Sequence, residues 1–197
     1  MARVLAATGL AAAATLGLGA AQADAVSLCY TPHAQNVGWK AKVCQARWAG
    51  SIGEARNLEA LRVEINHGSL CMKAHRATYG WDSGYQCANP SHGIQIGTVG
   101  MNTAIEAISS SYCPDSRLGG QGDIWAEGWF RDQGQKPSRP SPFATYRSGC
   151  KAEGIVGTTG QALPMEAVKF SWSLEHPPTG RAPSAPGRRP AAAATGP

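Results

Sequence analysis

No two of the six cysteines stand within two to four residues of each other, which excludes the close-spaced pairs of a structural zinc site. There is no nucleophile elbow, phosphate loop, His-Glu-x-x-His or dinucleotide fingerprint. The enzyme classes built on those motifs are therefore not expected, and neither a cofactor nor a resident metal is implied. Charge is also scarce, at 16% of residues. The net charge of +5 falls largely on the ends, and residues 26–176 keep 14 basic and 12 acidic residues. A body so close to neutral gives no footprint for nucleic acid. The single long apolar run, Val4 to Ala21, follows Arg3 and closes on AQADA. It is short, rich in Gly and Ala, and followed directly by Ala-x-Ala sites, so residues 1–25 read as a secretory signal peptide rather than a membrane span. Residues 177–197 hold Pro, Gly, Ala and arginines with almost no large apolar side chain. They read as a disordered tail that cannot offset its ordering entropy. The expected product is secreted and extracellular.

What is present is a repeat. Three segments carry Gly-x-x-Gly followed by Glu-Ala: Gly50 to Ala60, Gly97 to Ala107 and Gly157 to Ala167. In each, the second glycine precedes the glutamate (Glu59, Glu106, Glu166) by six residues. Upstream stand three Gly-Trp pairs, at Trp39, Trp81 and Trp129, with His33, His75 and Asp123 six residues earlier. The distance from tryptophan to the first glycine of the turn grows from 11 to 16 to 28 residues. The third copy absorbs the difference in a Pro-, Gly- and Ser-rich loop at residues 132–149. The copies span about residues 27–66, 69–112 and 113–173.

After each Gly-x-x-Gly the residues alternate as in a half-buried strand: Glu59, Leu61, Val63 and Ile65 in the first copy, and Glu166, Val168, Phe170 and Trp172 in the third. One copy is too small to bury its own apolar face, but three can close on each other. The expected fold is all-β, with three pseudo-threefold repeats in a β-prism-like arrangement and the β-trefoil as the alternative. An even cysteine count behind a signal peptide predicts disulfides. Repeat symmetry selects Cys29–Cys44, Cys71–Cys87 and Cys113–Cys150, each within one copy, and closing a loop of about 15 residues stabilises by roughly 3 kcal/mol.

These residues resemble the clostridial hydrophobic W (ChW) repeats, a family also found in secreted actinobacterial proteins. The likeness is carried by YTPHAQNVGWKAKVC (residues 30–44) and GIVGTTGQALPMEAVKF (residues 154–170), and extends over nearly all of residues 27–173. The second copy departs with ATYGW and the third with DIWAEGW. The resemblance implies an extracellular protein that binds surface polysaccharide or a surface protein, and it brings no catalytic residues.

Candidate ligand-binding residues are the repeat tryptophans Trp39, Trp81 and Trp129, the copy-specific aromatics Trp48, Tyr79 and Trp125, and the amides Gln35 and Asn36. The repeat tryptophans read first as plugs in the core of each copy, and second as exposed platforms. Gln35 and Asn36 read equally as readers of sugar hydroxyls or as caps of their turn. Each glutamate is expected to accept hydrogen bonds from its own Gly-x-x-Gly turn, since a buried carboxylate needs donors. The histidines are expected to bond locally, although with Asp123 they would compose a two-His-one-carboxylate metal set if they converged. Polysaccharide is the first expectation for a partner and a surface protein the alternative. Oligomeric state is left open.

Overall fold

The computed structural model of the chain describes residues 26–115, 122–140, 150–151 and 154–173. The expected leader and tail, and residues 141–149 of the third-copy loop, lie outside them. Every named element is a β-strand, and all pairings are antiparallel.

Each copy contributes two long strands. They are β1 (Leu28–Ala34) and β5 (Leu58–Ile65) in the first, β6 (Ser69–Arg76) and β10 (Ile105–Cys113) in the second, and β11 (Asp123–Phe130) and β15 (Met165–Ser173) in the third. The two pair along their whole length, with one register shift near the end of each ladder. A tight turn then sends the chain back along the first strand as β2 (Gly38–Trp39), β7 (Gly80–Trp81) or β12 (Gly134–Pro137). Three sheets result, one per copy, an arrangement compatible with a prism.

The sheets are not self-contained. The short strand that leads into each Gly-x-x-Gly pairs with the preceding copy. Thus β9 (Ile94–Gly97) of the second copy pairs with β5 of the first, and β14 (Gly154–Gly157) of the third pairs with β10 of the second. The cycle closes when β4 (Ala49–Gly50) of the first copy pairs with β15 of the third. These donated strands carry Ile96, Val156 and Ala49 into one continuous core with Leu28, Tyr30, Leu61, Met72, Ile108, Phe130 and Phe170. Fully burying Ile96 alone is worth roughly 2–3 kcal/mol.

The exchange explains the first glycine of the repeat. Gly50, Gly97 and Gly157 end the donated strands at φ of 139°, 73° and 104°. A Cβ at any of them would sit inside the carbonyl oxygen of Glu166, Glu59 or Glu106 of the neighbouring copy. The next residue seals the approach: Ser51, Thr98 and Thr158 donate their N–H to those same carbonyls at 2.9, 2.9 and 3.1 Å.

The disulfides join the predicted partners, but not all in the predicted way. Cys29–Cys44 and Cys71–Cys87 each staple the first long strand of a copy to the short strand β3 (Val43–Cys44) or β8 (Gln86–Ala88) beside it. Cys113 is instead the last residue of β10, in the second sheet, and bonds Cys150 of the third copy. That bridge links two copies, and the third copy's strands begin at Asp123. In the third copy the cysteine position of β1 and β6 is taken by Trp125: it faces Ser171 as Cys29 faces Glu64 and Cys71 faces Ser111.

Two buried tyrosines hold sheet ends together. The Tyr30 hydroxyl donates to the Arg47 carbonyl at 2.6 Å and accepts from the Phe170 N–H at 3.0 Å, tying the first copy to the third. Burial raises its pKa above the usual value, against the opposing backbone contacts of Phe170 and Arg47. Tyr112, at the end of β10, is pushed up to about 12 by burial and by the nearby charge of Asp115, with Trp172 opposing.

Candidate junctional site

The turn after the first long strand sets the candidate site. Its third residue, Asn36, Thr78 or Asp132, sits at φ of 61°, 72° or 60°, and Gly38, Gly80 or Gly134 follows two residues later. The bonds Val37 N–H to Ala34 carbonyl, Tyr79 to Arg76 and Gln133 to Phe130 repeat in all three copies. These matches fix the alignment of the third copy and correct the one expected from sequence. Trp129 pairs with Ala167 as His33 pairs with Ala60 and His75 with Ala107. It therefore occupies the histidine position, and Gln135, opposite Trp129, occupies that of Trp39 and Trp81. Gly128 is a core-strand glycine, where a Cβ would strike the Phe130 ring. Asp123 is not equivalent to the histidines. Among the described residues no group of three metal-ligating side chains converges, and each histidine instead meets a glutamate of its own copy.

Because copies exchange strands, each such turn faces the Gly-x-x-Gly turn of the next copy. The first junction is an open cleft of about 290 Å³, lined by His33, Asn36, Val37, Gly38 and Glu59 of the first copy and Val99, Gly100 and Asn102 of the second. Glu59 and His33 are buried, with Glu59 Oε2 3.2 Å from His33 Nδ1. The contact has ion-pair distance without hydrogen-bond geometry, and His33 Nδ1 has no other partner. Gln35 crosses the junction and donates from Nε2 to Asn102 Oδ1. The second junction repeats the pair, with His75 Nδ1 3.2 Å from Glu106 Oε2, but Ala77 stands at the place of Gln35.

The third junction is filled from within. Arg131, at the place of Gln35, lies 3.4 Å from Glu166 Oε1 through Nε, and its Nη2 donates to the Ala55 carbonyl at 2.6 Å and Asn57 Oδ1 at 2.9 Å. The Gly53 N–H donates to Glu166 Oε2 at 3.0 Å. This donor comes from the turn of the neighbouring copy, not from that of Glu166 itself, which corrects the expectation. Among the described residues, Glu59 and Glu106 accept no hydrogen bond at their carboxylates.

The aromatic candidates are scattered. Trp39 and Trp81 are half-buried outside the core, so they are neither plugs nor bare platforms. Each stands edge-on to its histidine, at 5.1 and 5.3 Å between centroids. A cation covers a face: Arg62 Cζ at 4.1 Å over Trp39, and Lys73 Nζ at 5.1 Å over Trp81. Trp48 and Trp129 meet edge-on at 6.1 Å, with Lys169 over Trp48. Trp125 is half-buried on β11. Tyr79 alone is fully presented, 57% exposed at the second junction, with Arg76 at 5.2 Å.

The exposed large apolar side chains among the described residues are Val37, Ile52, Tyr79, Val99 and Met101. All lie on the two turns that meet at junctions. Of the residues on these turns, the sequence singles out Gln35, Asn36 and Tyr79. Sequence reasoning missed Val37, Val99, Asn102 and Arg131, and it treated His33 and Glu59 separately.

Residues 33–67 match the Clostridial hydrophobic W family. One copy is matched, and it begins at His33, passes Trp39 and the Gly50–Gly53 turn, and includes Glu59. The hydrophobic W segment thus holds every first-copy residue that lines the first junction. No curated protein and no solved structure matches the chain.

Proposed function

We propose that this chain is a secreted, non-catalytic binding module for cell-surface or extracellular polysaccharide, and that the ligand meets it at the junctions between copies. The observation that carries this reading is the first junction. There Val37 and Val99 lie beside Asn36, Asn102 and the Glu59 carboxylate in one open cleft. Apolar surface for a sugar's C–H face next to amide and carboxylate groups for its hydroxyls is the chemistry a glycan needs. Repeated junctions on one body would add avidity on a repetitive polymer. Three disulfides suit an oxidising compartment, and no helix among the described residues is long and apolar enough to cross a membrane.

A protein ligand is the second reading. It is favoured by Tyr79, exposed beside Arg76, since such side chains anchor protein interfaces.

The test is retention of the mature chain on insoluble polysaccharides and washed bacterial cell walls, with a Val37→Asp/Val99→Asp double variant alongside. Selective retention by the native chain and its loss in the variant is expected. No retention on any polymer, with capture of a surface protein instead, would replace the glycan reading by the second one.

A further inference from the structure

We infer that the open first junction takes a cationic group, and that the glycan it recognises is a hexosamine polymer bearing free amino groups. This rests on the reading of the junction as a glycan site. The argument comes from comparing three equivalent carboxylates. Glu59, Glu106 and Glu166 are all nearly inaccessible, and all sit where two copies meet. A carboxylate so placed needs donors. Glu166 has them: the Arg131 guanidinium on one oxygen and the Gly53 N–H on the other. Glu59 and Glu106 have only a histidine Nδ1 at 3.2 Å, off hydrogen-bond geometry.

Arg131 reaches its carboxylate from the second position of the turn, held by Gln35 in the first copy and Ala77 in the second. The third junction thus displays, with the chain's own side chain, what completes the carboxylate: a cation that also donates to carbonyl and amide oxygens across the junction. The first junction has room for such a group from outside. The one acidic side chain in its lining is Glu59, and no lysine or arginine lines it. Arg56, which reaches the Gln35 carbonyl of the same turn, is engaged with Glu54 at 3.5 Å. A hexosamine ammonium offers three N–H donors and a full charge beside ring hydroxyls that suit Asn36 and Asn102. Acetylating that nitrogen removes the charge and two of the donors.

Titration of the mature, disulfide-intact protein with glucosamine oligomers and with their N-acetylated counterparts tests this. The amine form should bind at least ~10-fold tighter, the size set by one charge-assisted hydrogen bond. Glu59→Gln should remove most of that preference while leaving the thermal midpoint near that of the parent. Arg131→Ala should free the Glu166 carboxylate and raise the number of amine oligomers bound. Equal binding of the two oligomers, or an undiminished preference in Glu59→Gln, would overturn the inference. Retention on neutral glycan without an amine preference would leave the glycan reading intact and sink only this one. Absence of binding to any glycan would sink both.

Discussion

The first and third junctions share a backbone and differ in what they do with a buried acid. Both bring a turn with a left-handed third residue against a neighbour's Gly-x-x-Gly, and both place a glutamate beneath. In the third, Trp129 displaces the histidine, and Arg131 supplies the positive charge and stitches the copies together. In the first, His33 stays beside Glu59 and a cleft remains above it. The lesson is that repeat symmetry is imposed by the main chain, through glycines and register, while side chains are free to close one junction and leave another open.

The comparison breaks most severely at the glycines that create the junctions. Gly97→Ala forces a Cβ into the Glu59 carbonyl and keeps a strained φ, so it should cost roughly 3 kcal/mol or more. Gly100→Ala meets nothing within 4 Å and carries only the strain of φ 77°, about 1 kcal/mol. Denaturant midpoints of the two variants measure the difference. Equal losses would show that close approach is not what the first glycine serves.

A smaller effect separates the junctions themselves. Arg131→Ala removes the contacts to Ala55, Asn57 and Glu166 and should lower stability by about 1–2 kcal/mol, a figure kept modest because the Arg131 side chain is 36% exposed. Gln35→Ala at the equivalent place should cost less than about 0.5 kcal/mol, as expected of an exposed contact. If the order were reversed, the first junction would be the structural clasp.

A last effect appears only in alkali. Tyr112 stays protonated in the folded chain up to about 12, while its ordinary value is 10.0. Its contribution to stability is therefore full below pH 10.0, falls as the unfolded chain ionises first, and is gone above about 12. Tyr112→Phe should flatten the stability profile over that window, measured by denaturant unfolding with the disulfides intact. An unchanged slope would place the alkaline sensitivity at Tyr30 instead.

Much of this architecture was legible in the residues. Alternation around Leu61, Val63 and Ile65 gave the long strands, and cysteine order within the repeat gave the disulfide partners. The third copy misled because a Gly-Trp dipeptide recurs at Gly128-Trp129, six residues before the true turn at Gly134-Gln135. A dipeptide cannot reveal whether its glycine turns the chain or makes room for Phe130, whereas φ and register can. The strand exchange was invisible because the partner of a two- to four-residue strand is not encoded near it. The Glu166 donor was misassigned for the same reason: the nearest turn in sequence is not the nearest in space. His33 and Glu59 were both noticed, but only the ladder that sets His33 opposite Ala60 makes them neighbours.

The pairing of β4 with β15 also governs how the chain reaches this state. The Gly53–Glu166 bond beside it spans 113 residues, so the last sheet is completed only after both ends of the body have been gathered. Contacts of such long range slow folding and make loss of structure all-or-none. A single excised copy would lack its donated strand and present a bare sheet edge. That edge would be met by a strand from another chain, so fragments of this protein should aggregate where the whole does not.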